Sequence, residues 1–478
     1  MYTFLICLAA LIVGYFVYGR LMERLFGPDG RPTPVQRLED GIDYIRLPRW
    51  KIFMIQFLNI AGTGPIFGAI MGAKFGTSCF LWIVFGCIFA GAVHDYLSAM
   101  MCLRHDGESL PELVGRYLGA TTRQVMRGFT ILLLLLVGAV FVDSPAELLD
   151  HLTDGQLGLY TWIAIIFLYY LMAAVLPIDK IIGKVYPLFA VALLVMGAGL
   201  LVMFFFNCPA QMPELWDGLR NTHPQADTTP IFPILFITVA CGAISGFHAT
   251  QSPMMCRCLP DERQGRPIFY GAMITEGIVA LIWAAAAVCF FHSAPENINE
   301  PSAPKIVFAV TQDWLGAVGS VLAILGVVAA PITTGDTALR SARLIVADIF
   351  HIEQGNLFKR LGVAATIFLV TFAFLWFSLA DKDGFNTLWR YFAWANQTLA
   401  VFTLWAITAY LVREKKCYWV TFLPALFMTA VCTAYICMAR ECLALSASAG
   451  YSISATAVAV SIVRFAWWKR HLPAIAAG

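Results

Sequence analysis

The sequence predicts an all-α protein that crosses a membrane many times. Hydrophobic residues make up 59% of the 478 residues and charged residues only 13%, a composition outside the range of soluble globular proteins. The apolar residues fall into about thirteen runs of ~17–25 residues, the length that an α-helix needs to cross ~30 Å of hydrocarbon. Two of these runs are interrupted by glycine and proline, and their spacing predicts a core of two five-helix repeats in inverted topology.

The loops between the runs carry a charge pattern that supports the count. If all thirteen runs cross, the loops alternate sides, and Lys and Arg collect in the cytoplasm. Most of the 32 basic residues fall in one alternating set of loops, and the opposite loops hold only Lys74, Arg220, Lys305, Lys382 and Arg440. This partition predicts an N-terminus outside and a C-terminus in the cytoplasm. The predicted spans are roughly 3–19, 53–73, 79–101, 128–149, 158–176, 186–206, 231–250, 268–292, 314–335, 360–380, 387–411, 417–438 and 446–468.

The first interrupted run extends from Gln56 to Gly76 and reads QFLNIAGTGPIFGAIMGAKFG. Proline lacks the N–H that a helix needs and glycine loosens the backbone, so the helical hydrogen bonds should be broken near its centre. Freed backbone at bilayer depth must face protein or a water-filled cavity. The alternative is that these glycines, spaced every fourth residue, only allow close helix packing. The predicted substrate-binding residues here are Asn59, Ala61, Gly62, Thr63 and Gly64.

The second interrupted run extends from Ile231 to Pro253 and ends in CGAISGFHATQSP. It lies five spans after the first, so the two runs enter the membrane from opposite sides, as in transporters whose broken helices meet at the midplane. The repeats would occupy residues 53–206 and 231–411, with peripheral segments at 1–52 and 412–478. The predicted substrate-binding residues here are Ser245, Gly246, His248 and Gln251.

A third polar cluster closes the ninth span. Thr333, Thr334 and Asp336 in PITTGDTA supply oxygens of the kind that a hard cation requires. In an inverted repeat this helix lies beside the first interrupted run, so the cluster could share one Na⁺ with the carbonyls near Asn59, or Asp336 could carry a proton. The alternative role for Asp336 is that of a helix cap.

Other ionisable or amide side chains lie inside apolar runs, where they are costly and mark candidate functional sites. Asp95, preceded by His94, and Glu276 are candidate carriers of a coupling proton, because a buried carboxyl group has a raised pKa. Each carboxylate could instead pair silently with a neighbouring histidine, arginine or amide. Asn396 and Gln397 could line the substrate path.

Several function classes receive no support from the sequence. It contains no H-E-x-x-H, G-x-S-x-G or Walker-type motif, so neither enzyme activity nor direct drive by ATP is predicted. The net charge of +2 is too small and dispersed to indicate a nucleic-acid partner. The thirteen cysteines lie mostly in apolar runs and are interpreted as small core residues rather than disulfides. We predict no cofactor and no metal centre beyond a coupling H⁺ or Na⁺.

Five segments of the chain closely resemble the carbon starvation protein A family: NIAGTGPIFGAIMGAKFG, FAGAVHDY, SGFHATQSP, PITTGDTALRSARLIVAD and LWRYFAWANQTLA. They occur in the same order and span about residues 50–411. The resemblance implies a bacterial inner-membrane secondary carrier with a leucine-transporter-like inverted repeat, and uptake of peptides or pyruvate driven by protons. Two features depart from the family: the chain is shorter than many members, and His94 stands where glutamine is expected.

The sequence therefore predicts a secondary active transporter that imports a small carboxylate such as pyruvate, or short peptides, by alternating access. Its partners would be the lipid bilayer and this substrate. No sequence feature separates a carboxylate substrate from a peptide C-terminus, because both present the same anion to a helix N-terminus. The alternative is a membrane nutrient sensor that uses the same fold without net transport.

Overall fold

The computed structural model describes residues 1–40, 44–175, 179–208, 212–300, 302–352, 357–381 and 384–472; Lys382 lies outside them. This part of the chain consists of helices and connecting segments, without strands. Its α-helices are α1 (Tyr2–Phe26), α2 (Pro34–Arg37), α3 (Arg49–Ile60), α4 (Thr63–Ala73), α5 (Ser78–Gly86), α6 (Ala92–Arg104), α7 (Leu110–Leu118), α8 (Ala120–Leu152), α9 (Leu159–Val175), α10 (Asp179–Asn207), α11 (Phe236–Thr238), α12 (His248–Cys256), α13 (Gly271–Ser293), α14 (Ala303–Ala323), α15 (Ala329–Ile349), α16 (Leu357–Ala380), α17 (Gly384–Arg413), α18 (Trp419–Met438) and α19 (Ala447–Arg470).

Membrane-length helices account for most of the predicted spans. Within the described residues, ten helices are long and apolar enough to cross a membrane, or eleven if α3 and α4, which meet at a bend of 48°, form one span. Turns of π-helix at Cys87–Gly91 and Ile324–Val328 join α5 to α6 and α14 to α15. Helix α9 is apolar but shorter, and the second interrupted run is not one continuous helix. The all-helical, multi-pass prediction is confirmed, whereas the number of thirteen stays a prediction.

Loops that the charge pattern assigns to one side contact each other. In the set predicted to lie outside, Lys74 Nζ donates to the carbonyl of Glu300, and the Met1 amino group pairs with Glu214. In the set predicted to lie in the cytoplasm, Arg104 Nη2 donates to Glu262 Oε2 at 2.9 Å. These contacts fit the predicted alternation of loops, although they do not say which set faces the cytoplasm.

Helices that occupy equivalent places in the two predicted repeats pack against each other. Between the second members, Cys87 Sγ donates to the carbonyl of Met273 at 3.3 Å. Between the third members, a Cβ added at Gly138 of α8 would lie 2.9 Å from Leu339 Cγ of α15. The first members are the two interrupted runs, which also touch. This like-with-like packing is what two repeats related by a two-fold axis would show.

The interpretation of the cysteines is wrong for one pair. Cys208, just after α10, forms a disulfide with Cys289 near the end of α13, and their Cα atoms lie 5.5 Å apart. The two residues are 81 positions apart at the ends of separate apolar runs, and only the packing of α10 on α13 brings them together. Both lie at the end of the protein predicted to face outside, where disulfides persist.

Candidate functional site

The first break lies at Ala61 and Gly62, between α3 and α4. Pro65 lacks the N–H that would bond the Ala61 carbonyl in a continuous helix. Gly62 adopts φ −71° and ψ −142°, which turns the chain by 48° before α4 begins at Thr63. The sequence prediction of a break within this run is therefore confirmed, and the break frees backbone groups at the N-terminus of α4.

Polar side chains at this break are buried and lack partners. The hydroxyl of Thr63 and both side-chain atoms of the Gln56 amide have no hydrogen-bond partner among the described residues. Both residues are fully buried, and Asn59 is 6% exposed. Leaving such a group unpaired costs ~1–3 kcal/mol. The first break therefore holds donors and acceptors that a bound ligand could satisfy.

The second break extends over residues 239–247, between α11 and α12. Its backbone is held by Asn396 of α17. Asn396 Oδ1 accepts hydrogen bonds from Ser245 Oγ at 3.1 Å and from the Phe247 N–H at 2.7 Å. The Asn396 carbonyl accepts a further bond from the Gly246 N–H at 3.2 Å. The predicted residues Ser245, Gly246 and Asn396 are therefore brought together, with Asn396 acting as a clamp on the second break.

The two breaks are in direct contact. A Cβ added at Gly64 would collide with the side chain of Cys241, and one at Gly68 would lie 2.9 Å from the carbonyl of Thr238. The glycines of the first run therefore do allow close packing, as the alternative interpretation held, and the partner they pack against is the second break itself. Helix packing and the break thus operate together in this run.

A fully buried cluster of ionisable side chains lies beside the second break. His248, the first residue of α12, places Nδ1 2.8 Å from Asp95 Oδ2 of α6. His94 Nδ1 lies 2.8 Å from Asp95 Oδ1. At the opposite edge of the His248 ring, Nε2 lies 3.5 Å from Glu276 Oε2 of α13. All four residues are 0% exposed.

This ionisable cluster joins residues that the sequence analysis had placed in different roles. Asp95 and Glu276 were predicted as proton carriers and His248 as a substrate-binding residue. The side chain of His248 lies between the two carboxylates, bonded to one and just beyond hydrogen-bond range of the other. Within the described residues, no group of three or more His, Cys, Asp or Glu side chains has metal-binding geometry.

Two predicted amides are buried nearby. Gln251 donates from Nε2 to Thr250 Oγ1 at 2.9 Å, within its own helix. Gln397 donates from Nε2 to the carbonyl of Phe236 at 3.3 Å, and its Oε1 has no partner among the described residues. Gln397 therefore connects α17 to the start of the second break, next to the contact made by Asn396.

The predicted cation cluster of Thr333, Thr334 and Asp336 lies in α15. Asp336 Oδ2 pairs with Arg340 Nη2 at 3.3 Å, one turn along the same helix. The side chain of Phe141 from α8 separates this region from the first break, because it contacts the Cβ position of both Gly62 and Gly335. The proposed sharing of one Na⁺ with the first break therefore requires Phe141 to move, and the site stays a prediction.

A cavity of about 260 Å³ leads toward the two breaks from the end predicted to face outside. We call it the vestibule and define it by Phe67, Lys74, His223, Thr238 and Trp389. Lys74 is 4% exposed, and burial lowers the pKa of its ammonium to about 8. Burial and the nearby Lys74 charge lower the pKa of His223 to about 4. The vestibule thus has aromatic side chains in its wall, and two basic residues, Lys74 and Arg390, line it.

Gln56, Lys74 and Trp389 were missed as candidate site residues. Gln56 is an amide inside an apolar run, the same signal that selected Asn396, but it lies one turn before the glycines that drew attention. Lys74 is the only basic residue of its loop, and Trp389 looks like an ordinary membrane aromatic. Their place in or near the site depends on tertiary contacts.

The same fold occurs in solved structures. A manganese transporter of Eremococcus coleocola superposes with a TM-score of 0.57 at 12% identity, over 90% of this chain and 98% of that one. The nucleobase-cation-symport-1 family transporter Mhp1 gives a TM-score of 0.53 at 14% identity, over 89% and 93%. At this identity the likeness shows the fold alone, and that fold is one of multi-pass membrane transporters.

The family follows from the sequence comparisons. The family model of the carbon starvation protein CstA matches residues 1–157, 151–311 and 303–435, so the chain belongs to the CstA family. It is 42% identical to an uncharacterized membrane protein of Haemophilus influenzae, over 63% of this chain and 94% of that protein. It is 27% identical to the peptide transporter CstA of Bacillus subtilis, over 93% and 91%, and 25% identical to that of Escherichia coli, over 88% and 78%. The protein is thus a bacterial multi-pass inner-membrane transporter.

Proposed function

We propose that this protein is a secondary active importer of short peptides or of a small carboxylate such as pyruvate, coupled to protons. The named relatives are peptide transporters. The resemblance of the sequence to the family adds pyruvate as a second candidate substrate. The observation that carries the proposal is the ionisable cluster beside the second break, in which His248 lies between Asp95 and Glu276.

The geometry of the two breaks supports an anionic substrate group. Helix α4 begins at the first break and α12 begins at the second, so two helix N-termini point into one region of the membrane interior. The N-terminus of a helix carries partial positive charge and free N–H groups, which favour anions. A peptide C-terminus and the carboxylate of pyruvate both satisfy this requirement. The buried Thr63 hydroxyl supplies a further hydrogen-bond donor beside it.

The ionisable cluster supports proton coupling. The cluster brings two carboxylates and two imidazoles, each a group able to hold a proton, into one buried chain of contacts. His248 belongs to α12, the half-helix after the second break, whereas Asp95 and Glu276 belong to the continuous helices α6 and α13. A small movement of α12 would shorten the contact of His248 with Glu276 and lengthen that with Asp95. Proton position and helix position are then linked, as coupled transport requires.

Alternating access would arise from the repeats. In inverted-repeat carriers one bundle rocks against the other around a central site. The contact of the two broken runs, the α5–α6 contact with α13 and the contact of α8 with α15 supply candidate surfaces for this motion. The predicted orientation, with the N-terminus outside, places the vestibule on the side from which substrate enters.

Uptake into proteoliposomes tests this function. Labelled pyruvate and labelled dialanine would be supplied separately under an inward proton gradient, an inward Na⁺ gradient, or no gradient. We expect accumulation of at least one substrate above equilibrium with the proton gradient. Accumulation only with Na⁺ would overturn proton coupling and leave a carrier, and absence of accumulation under both gradients would overturn the carrier function itself.

The double substitution Thr333→Ala with Thr334→Ala separates the two proposed ion sites. If α15 holds the coupling cation, the variant should lose its dependence on the cation gradient while still exchanging substrate. If the ionisable cluster is the coupling site, the cation dependence of uptake should be unchanged.

A further inference from the structure

A second cavity lies at the end of the protein where Lys and Arg collect. It has a volume of about 660 Å³ and is formed by α7, the start of α8, α17, α18 and α19. We call it the basic groove and define it by three arginines and three aromatic residues: Arg116, Arg413, Arg464, Trp405, Phe465 and Trp467. None of the residues that line it is acidic.

The arginines of the basic groove are not neutralised in the way that others on the same side are. Arg104, Arg123 and Arg127 each pair with a glutamate. In contrast, Arg413 and Arg464 have no carboxylate within ion-pair distance in the part of the chain that the structure describes, and the Arg413 guanidinium stacks on Tyr117 at 5.2 Å. Arg116 pairs only with Glu108, and its side chain remains 53% exposed.

The wall of the groove is apolar and faces the bilayer. Helix α19, which forms one side of the groove, is largely exposed, and its Trp467 is 61% exposed at the groove. Along α17, the distance from Phe402 to Arg413 is about 16 Å at 1.5 Å per residue. That is about half of the ~30 Å hydrocarbon core, the depth of one leaflet.

We propose that the basic groove binds one anionic phospholipid of the bilayer, with its phosphate at Arg413 and Arg464 and an acyl chain along the aromatic wall. Guanidinium groups hold phosphate oxygens through paired hydrogen bonds, and basic pockets between membrane helices on the cytoplasmic side bind anionic headgroups. A soluble phosphate compound would use the arginines but leave the aromatic wall uncovered. The lipid would join α7 and α8 to α17 and α19 and so fix the peripheral α19 to the core.

Native mass spectrometry of the full-length protein tests this site. The detergent-purified protein would be titrated with phosphatidylglycerol, phosphatidylcholine or glycerol 3-phosphate. We expect phosphatidylglycerol to remain bound to the wild-type protein in preference to phosphatidylcholine. The double variant Arg413→Gln with Arg464→Gln should bind it about 30-fold more weakly, because each basic residue near a membrane surface contributes about fivefold in affinity.

A matched variant, Arg24→Gln with Arg470→Gln, removes two exposed arginines from the same predicted side but outside the groove. Its affinity for phosphatidylglycerol should stay within about twofold of the wild-type affinity. Equal loss in both variants, or unchanged binding in the Arg413 and Arg464 variant, would overturn the site. Equally tight binding of glycerol 3-phosphate would overturn the assignment to lipid.

The substitution Phe402→Ala examines the acyl chain separately, because Phe402 lines the groove about 16 Å from Arg413, toward the membrane centre. Phe402 is only half-buried, and the melting temperature of the variant checks that its fold is intact. The variant should bind long-chain phosphatidylglycerol more weakly but dihexanoyl phosphatidylglycerol as the wild type does. An equal effect on both lipids would contradict the proposed chain position.

Discussion

The two breaks have the same origin in glycine-rich sequence but differ in how their polar groups are satisfied. At the first break, Thr63 and Gln56 are buried without partners among the described residues. At the second, Ser245, Phe247 and Gly246 all bond to Asn396, and His248 bonds to Asp95. The first break is thus open to a ligand, whereas the second is already hydrogen-bonded to two continuous helices, α17 and α6.

This difference suggests a division of roles between the breaks. A segment that is hydrogen-bonded to its neighbours transmits movement to them, and a broken helix end with unpaired buried groups gains most from a ligand. The first break would then contribute mainly to substrate affinity and the second to structure and proton coupling.

Asp95→Asn should lower the proton-driven accumulation of substrate by about 100-fold or more. Asparagine keeps the size of the side chain but cannot take up a proton, so His248 loses its titratable partner. Exchange of labelled for unlabelled substrate across the membrane needs no net proton movement and should persist. The measurement is driven uptake against exchange in the same proteoliposomes.

Asp143→Asn is the matched control for this substitution. Asp143 is also a buried membrane aspartate, but it bonds to Ser378 of α16, away from both breaks. The control should keep driven uptake. Loss of exchange together with uptake in Asp95→Asn would mean that the carboxylate holds the structure rather than the proton.

Asn396→Ala should lower the free energy of unfolding by about 3 kcal/mol, because it leaves the Ser245 hydroxyl and the Phe247 N–H buried without their acceptor. The change can be followed as a fall in melting temperature in detergent. Thr398→Ala, two residues further along α17, removes a hydroxyl that donates to the carbonyl of Trp394 and not to the second break, and it should have little effect. A wild-type melting temperature for Asn396→Ala would show that the second break is not clamped by α17.

The sequence predicted where the chain breaks more reliably than what the breaks contact. Pro65 and the flanking glycines dictate the first break by local backbone chemistry. The meeting of Asp95, His248 and Glu276 depends on how α6, α12 and α13 pack, which no local pattern contains. For the same reason the sequence did not reveal the contact of His248 with Asp95 and missed the disulfide of Cys208, whereas the role of His248 in substrate binding stays a prediction. Intramembrane carboxylates were nevertheless correctly selected as exceptional, because burying each one is costly.

Thr63→Val should leave the melting temperature unchanged or slightly raised, because the lost hydroxyl has no partner among the described residues. The same substitution should raise KM for uptake about 10-fold, equivalent to one hydrogen bond to an anionic group. Thr403→Val makes the same exchange at a buried threonine of α17 that bonds to Leu399 and should leave KM unchanged. A destabilised Thr63→Val variant with normal KM would reverse the roles assigned to the two breaks.

We expect the smallest effect from the titration of Lys74, which should change KM for uptake with pH. Its pKa of about 8, lowered by burial, means that the ammonium is charged at pH 7 and loses its charge as the pH rises toward 9. His223, with its pKa of about 4, stays neutral throughout this range. If the vestibule attracts an anionic substrate toward the first break, KM should rise about threefold between pH 7 and 9. Lys74→Arg keeps its charge over that range and should reduce this rise.

Protein stability provides an independent measure of the same titration. The unfolded chain holds the Lys74 proton up to the ordinary pKa of 10.5, whereas the folded protein releases it near 8. The unfolded state therefore binds more protons between these values, and the contribution of Lys74 to the free energy of unfolding rises with pH across that window. Wild type and Lys74→Arg should diverge in melting temperature from pH 8 upward. If melting temperature and KM change with pH in the same way in the wild type and in Lys74→Arg, Lys74 does not titrate in the vestibule. The two helix N-termini would then be the groups that attract the anionic substrate.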